Sequence, residues 1–161
     1  MPQRLSPDVV VYVCANCVPS GPGLPRQWTQ GDARVAVRQV PCTGKTDGQY
    51  LLHGLEGGGQ GFCVVACPHG ECRLGQGNYR AEIRVRTLQR LLAEIGLEPE
   101  RAQLLHCAPG EGVAQIEQRV RGAVERICAL GPLGAAPAPD HRGTELHPSP
   151  AAGVATGRTA G

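Results

Sequence analysis

Aromatic residues are scarce in this chain: one tryptophan, one phenylalanine and three tyrosines among 161 residues. Proteins that grip single-stranded bases do so by stacking them on aromatic faces, so that task is excluded as the main one. A charge excess is missing too. The net charge of +2 sets up no field that would draw the chain to nucleic acid or to an acidic membrane. No apolar run approaches the roughly 20 residues that a membrane-spanning helix needs, so no membrane insertion is expected. The N-terminus, Met1-Pro-Gln-Arg-Leu-Ser-Pro-Asp8, has no apolar segment of the export-signal kind and is expected to lead straight into the fold. Hydrolase signatures are absent: there is no nucleophile elbow and no His-Glu-x-x-His. Gly57-Gly58-Gly59 sits in no phosphate-binding pattern and reads as a loop.

Cysteine, by contrast, is plentiful, with eight in the chain. Without an export signal, the expected setting is a reducing cytoplasm. There, clustered thiols bind metal or carry out redox chemistry more often than they form disulfides.

Three apolar, β-branched runs each end in cysteine. Val9–Val13 is followed by Cys14-Ala-Asn-Cys17, Ala33–Val40 by Pro41-Cys42-Thr-Gly, and Phe62–Ala66 by Cys67-Pro-His-Gly-Glu-Cys72. Unbroken Val9–Val13 predicts a strand buried on both faces, as in a parallel sheet. Ala33–Val40 interleaves Val35 and Val37 with Arg34 and Arg38, which predicts a strand with one wetter face. A short helix is expected over 49–56, with Leu51, Leu52 and Leu55 on one side. A long helix is expected over 78–95, with Asn78 as N-cap, Ile83, Leu88, Leu91, Leu92 and Ile95 as the apolar face, and Gly96 as the stop. A fourth strand follows at 102–107. A second clear helix spans 113–128, where Val113, Ile116, Val120, Val124 and Ile127 step by three or four. The stretch 14–31 is rich in Pro and Gly and holds at most a short irregular helix around Pro25-Arg-Gln-Trp-Thr. From Gly131 on, 18 of 31 residues are Ala, Gly or Pro with no apolar period. That composition predicts a disordered tail over 131–161 behind a domain of 1–130. The fold expected is α/β: a small, mostly parallel four-stranded sheet flanked by helices, in a flavodoxin-like or related three-layer arrangement.

In a parallel sheet the C-terminal strand ends share one rim, and ligands of open α/β sheets bind there. Cys14, Cys17, Cys42, Cys67 and Cys72 are therefore expected on a common rim. Thiolates gathered in this way repel one another unless a cation sits among them, and soft sulfur donors select zinc, Cu(I) or iron–sulfur clusters. Only one Cys-x-x-Cys knuckle, Cys14 to Cys17, is present, and the second pair is spaced Cys-x4-Cys. This places an iron–sulfur cluster ahead of structural zinc, which usually takes two such knuckles. Two alternatives stand beside it: a thiol–disulfide oxidoreductase using Cys14 and Cys17, and a zinc-stabilised binding module. Cys63 and Cys128 read as buried apolar residues. Cys107, which follows the fourth strand, is within reach of the rim as a minority ligand reading and is not counted in the set, and His69, between two candidate ligands, reads first as a turn histidine bonding locally and second as a metal ligand. Arg80, Arg84, Arg86 and Arg90 read as a solvated helix face, with docking of an acidic partner as the second reading.

From Cys67 onward the chain resembles the delta subunit family of the methyl-viologen-reducing hydrogenases, also called the hydrogenase iron–sulfur subunit. The residues that carry the resemblance are Cys67-Pro-His-Gly-Glu-Cys72, Gly77-Asn-Tyr79, Ala81, Arg84, Gly96, Pro99-Glu-Arg101 and Glu111-Gly112. Cys42-Thr-Gly-Lys and the Cys14/Cys17 pair match two further family motifs, and the likeness covers about residues 8–128. The resemblance implies a 2Fe–2S cluster held by Cys14, Cys17, Cys42, Cys67 and Cys72, five candidates for four ligand positions. It also implies an electron-transfer component of a cytoplasmic oxidoreductase complex, with no substrate site of its own. Its place there would be between a hydrogenase or formate dehydrogenase module and a heterodisulfide-reductase-like flavoprotein. The chain departs from the family pattern at Ala15-Asn16, usually Asn-Trp. It departs also in the turn after Cys67, where proline precedes His69, and at His106, where a tryptophan is common.

Overall fold

The computed structural model describes residues 7–18 and 23–133. Most of the tail expected over 131–161, from residue 134 on, lies outside the described residues. Five strands form one sheet: β1 (Val9–Cys14), β2 (Gln27–Gln30), β3 (Ala33–Val40), β4 (Gly61–Ala66) and β5 (Ala102–His106). Their order across the sheet is β2-β3-β1-β4-β5. β1 lies parallel to both β3 and β4, and β4 lies parallel to β5. Counting the parallel strands alone, the order is 2-1-3-4, the flavodoxin-like sequence in which the chain leaves β1 first to one side and then to the other.

The strands have the predicted character. All six residues of β1 and all six of β4 are buried, because helices cover both sides of the sheet. Alternate side chains enter two separate cores. Val9, Val11, Val13, Cys63 and Val65 pack on Ile116, Val120, Val124 and Ile127 of α3 (Val113–Ala129). Val10, Tyr12, Phe62 and Val64 pack on Leu51 of α1 (Gly48–Leu52) and on Ala81, Val85, Leu88 and Leu92 of α2 (Gly77–Glu94). The result is three layers. Cys63 is wholly buried and Cys128 packs against the α3-side core, as expected of apolar residues.

Three sequence expectations are corrected. The segment around Trp28 is not helical: Gln27–Gln30 pairs antiparallel with Ala33–Ala36, making β2 the fifth strand. Gly31, at φ +57°, turns this hairpin in a conformation that β-branched residues avoid. Second, the 49–56 helix is shorter than expected. It ends at Leu52, and a separate 3-10 turn covers Glu56–Gly58. Third, α2 turns a different face inward. Ile83, Leu91 and Ile95 are 67%, 48% and 63% exposed, whereas Ala81 and Val85 are buried. The N-cap is Gln76, and Asn78 lies inside the first turn with its Nδ2 donating to Pro68 O at 2.7 Å.

Arg101, only 2% exposed, ties the end of the sheet opposite the cysteines. Its Nε pairs with Glu98 at 2.7 Å, and its Nη1 donates to the carbonyls of Gln60 and Gly131, each at 2.9 Å. Removing it strands those part-buried carbonyls and Glu98. Arg101→Ala should therefore cost about 3 kcal/mol of stability, read as a lower urea midpoint with an unchanged slope.

Candidate metal centre

Every parallel strand ends in, or is followed within two residues by, a cysteine at the same rim. Cys14 is the last residue of β1, Cys42 follows β3, Cys67 follows β4 and Cys107 follows β5. The backbone then fixes each sulfur. Ala15 N donates to Val40 O at 2.9 Å, tying the end of β1 to the end of β3. The chain turns back at once, with the amides of Cys17 and Val18 both donating to Cys14 O, and this turn brings Cys17 over Cys14. On the other side, Cys107 N donates to Ala66 O at 2.9 Å, which extends the ladder and carries Cys107 level with Cys67.

Three sulfurs meet. Cys17 Sγ lies 3.3 Å from Cys67 Sγ, and Cys67 Sγ lies 3.5 Å from Cys14 Sγ. All three lie within 4.8 Å of one another. They sit where β1 and β4 part, which is the switch point of this strand order. Cys42 and Cys72 form a second group beside α2. A Cβ placed on Gly77 would lie 2.7 Å from Cys42 Sγ and 3.0 Å from Cys72 Sγ, so both sulfurs flank this bare backbone position. Gly44 presses on the same place: its Cβ would lie 2.1 Å from Gly77 O. Two glycines thus let the Cys42 turn and the start of α2 come into backbone contact. Arg84 secures the turn by donating to Gly44 O at 3.1 Å, so it is more than part of a solvated face.

Sequence reasoning put Cys107 within reach of the rim but outside the ligand set. Its thiol lies close enough to that of Cys17 to be the largest influence on the ionisation of each. The signal was available, because Cys107 follows its strand just as Cys67 follows its own.

The sulfurs share protons unequally. Cys14 is pulled down to about 5, first by the hydrogen bond from Cys17, and also by the amides of Asn16 and Thr43; burial opposes this. Cys17 is pushed up, first by its bond to Cys107 and then by its bond to Cys14. Burial, its first cause, pushes Cys67 up to about 12. A group whose pKa is depressed is ionised above that value and loses its charge as the pH falls through it. In the reduced, metal-free chain, ultraviolet thiolate absorbance should therefore show a step near pH 5, at the value of about 5 held by Cys14. Cys14→Ser should remove that step.

A second group of metal-binding side chains stands beside the first: His69, Glu82 and His106, with their ligand atoms within 4.8 Å of one another.

Known proteins resemble this chain along most of its length. Residues 9–131 match the family described as methyl-viologen-reducing hydrogenase, delta subunit. The chain is 31% identical over 114 residues to an iron-sulfur subunit of the F420-non-reducing hydrogenase of Archaeoglobus profundus, covering 70% of this chain and 83% of that one. It is 33% identical over 130 residues to an iron-sulfur subunit of the F420-non-reducing hydrogenase vhu of Methanopyrus kandleri, covering 78% and 96%. It is also 28% identical over 123 residues to one subunit of the ferredoxin/F(420)H(2)-dependent CoB-CoM heterodisulfide reductase of Methanosarcina acetivorans, covering 76% of this chain but 15% of that one. With its matched span taking in every strand and helix described above, this chain belongs to the delta-subunit family of the methyl-viologen-reducing hydrogenases.

Proposed function

We propose that this chain is an electron-transfer subunit carrying one 2Fe–2S cluster on the cysteine rim. In this reading it relays electrons between a hydrogenase or formate dehydrogenase module and a heterodisulfide-reductase-like flavoprotein in the cytoplasm. The observation that carries the reading is the meeting of Cys14, Cys17 and Cys67 within 4.8 Å, with the Cys42–Cys72 pair across Gly77. Relatives named as iron-sulfur subunits of hydrogenases support it. The likeness to a segment of a heterodisulfide reductase subunit supports the pairing of the two partner types.

The donors fit such a group. Sulfurs bound to one metal at about 2.3 Å lie roughly 3.8 Å apart, and the separations of 3.3 and 3.5 Å here are close to that without any rearrangement of the strands. Cys14, Cys17, Cys42, Cys67 and Cys72 are the five candidates for the cluster's four ligand positions, with Cys107 a neighbour of Cys17. A bound iron–sulfur cluster supplies one-electron exchange at a potential set by its surroundings. The chain contributes those surroundings. Cys14 and Cys67, 1% and 4% exposed, keep water from the inner sulfurs. The amides of Asn16 and Thr43 donate toward Cys14 sulfur and stabilise negative charge on it.

The same three-sulfur meeting also suits a single zinc ion, which makes a zinc-stabilised module the second reading. A thiol–disulfide oxidoreductase is disfavoured. Cys14 is buried, and it is followed by a turn and not by the helix N-terminus that would activate an attacking thiolate.

Purified without oxygen, the chain should contain iron and acid-labile sulfide in equal amounts and show visible charge-transfer absorption. Cys14→Ser and Cys67→Ser should each lose most of both. Gly77→Ala should lower iron content while preserving helix and strand content by circular dichroism. One zinc per chain with no sulfide would replace this reading with the second.

A further inference from the structure

The rings of His69 and His106 pack against each other beside the cysteine rim, tilted by 30° with centroids 4.1 Å apart. From residues outside the cysteine set, we propose a second metal site, in which His69, Glu82 and His106 bind one divalent transition cation, zinc by preference. It lies just outside the rim, and its donors are the two imidazoles and a carboxylate.

The ring of His106 is already set up as a ligand. Its Nδ1 lies 3.1 Å from Cys67 O, a carbonyl that can only accept, so Nδ1 carries a proton and donates it there. In the neutral ring that leaves Nε2 with an unprotonated lone pair. Metal-bound histidines are usually held in this way, the far nitrogen donating to a carbonyl or carboxylate. Nε2 is buried and has no hydrogen-bond partner. It faces Glu82 Oε2 at 3.7 Å. A lone pair and a carboxylate oxygen, both acceptors, thus look at one another too far apart for a hydrogen bond. An atom that accepts from both removes the conflict, and a cation between them does so directly.

The remaining ligands are supported from behind. Glu82 is engaged through its other oxygen by Arg86, one turn further along α2, which leaves Oε2 turned toward His106. His69 is exposed and lies between Tyr79, at 4.9 Å between centroids, and His106. It comes from the Pro68–Gly70 turn that Asn78 anchors, so its backbone is fixed while its ring can rotate to bring a nitrogen to the ion. This takes up the second sequence reading of His69, as a metal ligand, with a different set of partners. Two imidazoles and one carboxylate suit zinc, iron(II), cobalt or nickel better than magnesium or calcium, and the three ligands leave a position open toward solvent. No thiol takes part, so the site does not depend on what the cysteines hold.

The test uses the full chain, purified without oxygen and carrying whatever its cysteines hold, titrated with zinc and then with cobalt. The expected result is one zinc bound beyond the metal already present, with no loss of that metal. Cobalt should give weak ligand-field bands without the intense sulfur-to-cobalt absorption of a thiolate site. His69→Ala and Glu82→Gln should each weaken the added zinc at least about tenfold while the pre-existing metal content stays unchanged. Both substitutions lie on exposed or half-buried positions, so the fold survives them; His106→Gln serves as a third variant. Zinc binding that is equal in the parent and in the His69 and Glu82 variants would overturn the proposal. So would cobalt bands of thiolate origin, or the absence of any added zinc. Absence of iron and sulfide from the parent chain would count against the electron-transfer reading and leave the zinc comparison intact.

Discussion

Sulfur atoms held 3.3 and 3.5 Å apart behind the central strands cannot all be charged at once. Each added thiolate raises the cost of the next, and little water reaches Cys14 or Cys67 to screen them. The unequal proton sharing among Cys14, Cys17, Cys67 and Cys107 is the metal-free answer to that repulsion. In the proposed reading a cation with more than one positive charge would answer it better, because it would let all of the sulfurs ionise.

That geometry rests on parallel pairing. Parallel strands bring all their C-termini to one edge, and strand-to-strand hydrogen bonds hold Cys14, Cys67 and Cys107 level with one another. The helices then decide what surrounds the rim. α2 approaches through Gly77, where any side chain would meet Cys42 and Cys72, and α3 covers the opposite face with Val120 and Val124. Backbone contact at Gly44 and Gly77, secured by Arg84, is the tightest approach around the centre. The exposed apolar residues Ile83, Leu91 and Ile95 stay outside all of this, on the far side of α2.

Much of this is legible in the residues. Buried parallel strands write themselves as unbroken β-branched runs, and a cysteine after each run names the rim. What escapes does so for physical reasons. β2 is four half-exposed residues, Gln27 to Gln30, whose pairing with β3 supplies what their weak pattern does not. The buried face of α2 is hard to read because side-chain size is a poor guide to burial there. Close packing under the Cys42 turn and the sheet needs small Ala81 and Val85, while the larger Ile83 and Ile95 are left outside. Cys107 carries little weight in the sequence because it has no second cysteine near it there; its partner, Cys17, is a spatial neighbour from another strand end. His69 and His106 are 37 positions apart in the chain, and only the pairing of β4 with β5 brings them together.

Iron-edge X-ray absorption of the anaerobically purified chain tests the central claim most directly, because it reads the atoms around the metal. Sulfur neighbours alone in the first shell, with a second iron close behind them, are the result this account predicts. Nitrogen or oxygen neighbours in place of sulfur, or a chain that holds no iron to measure, would contradict it.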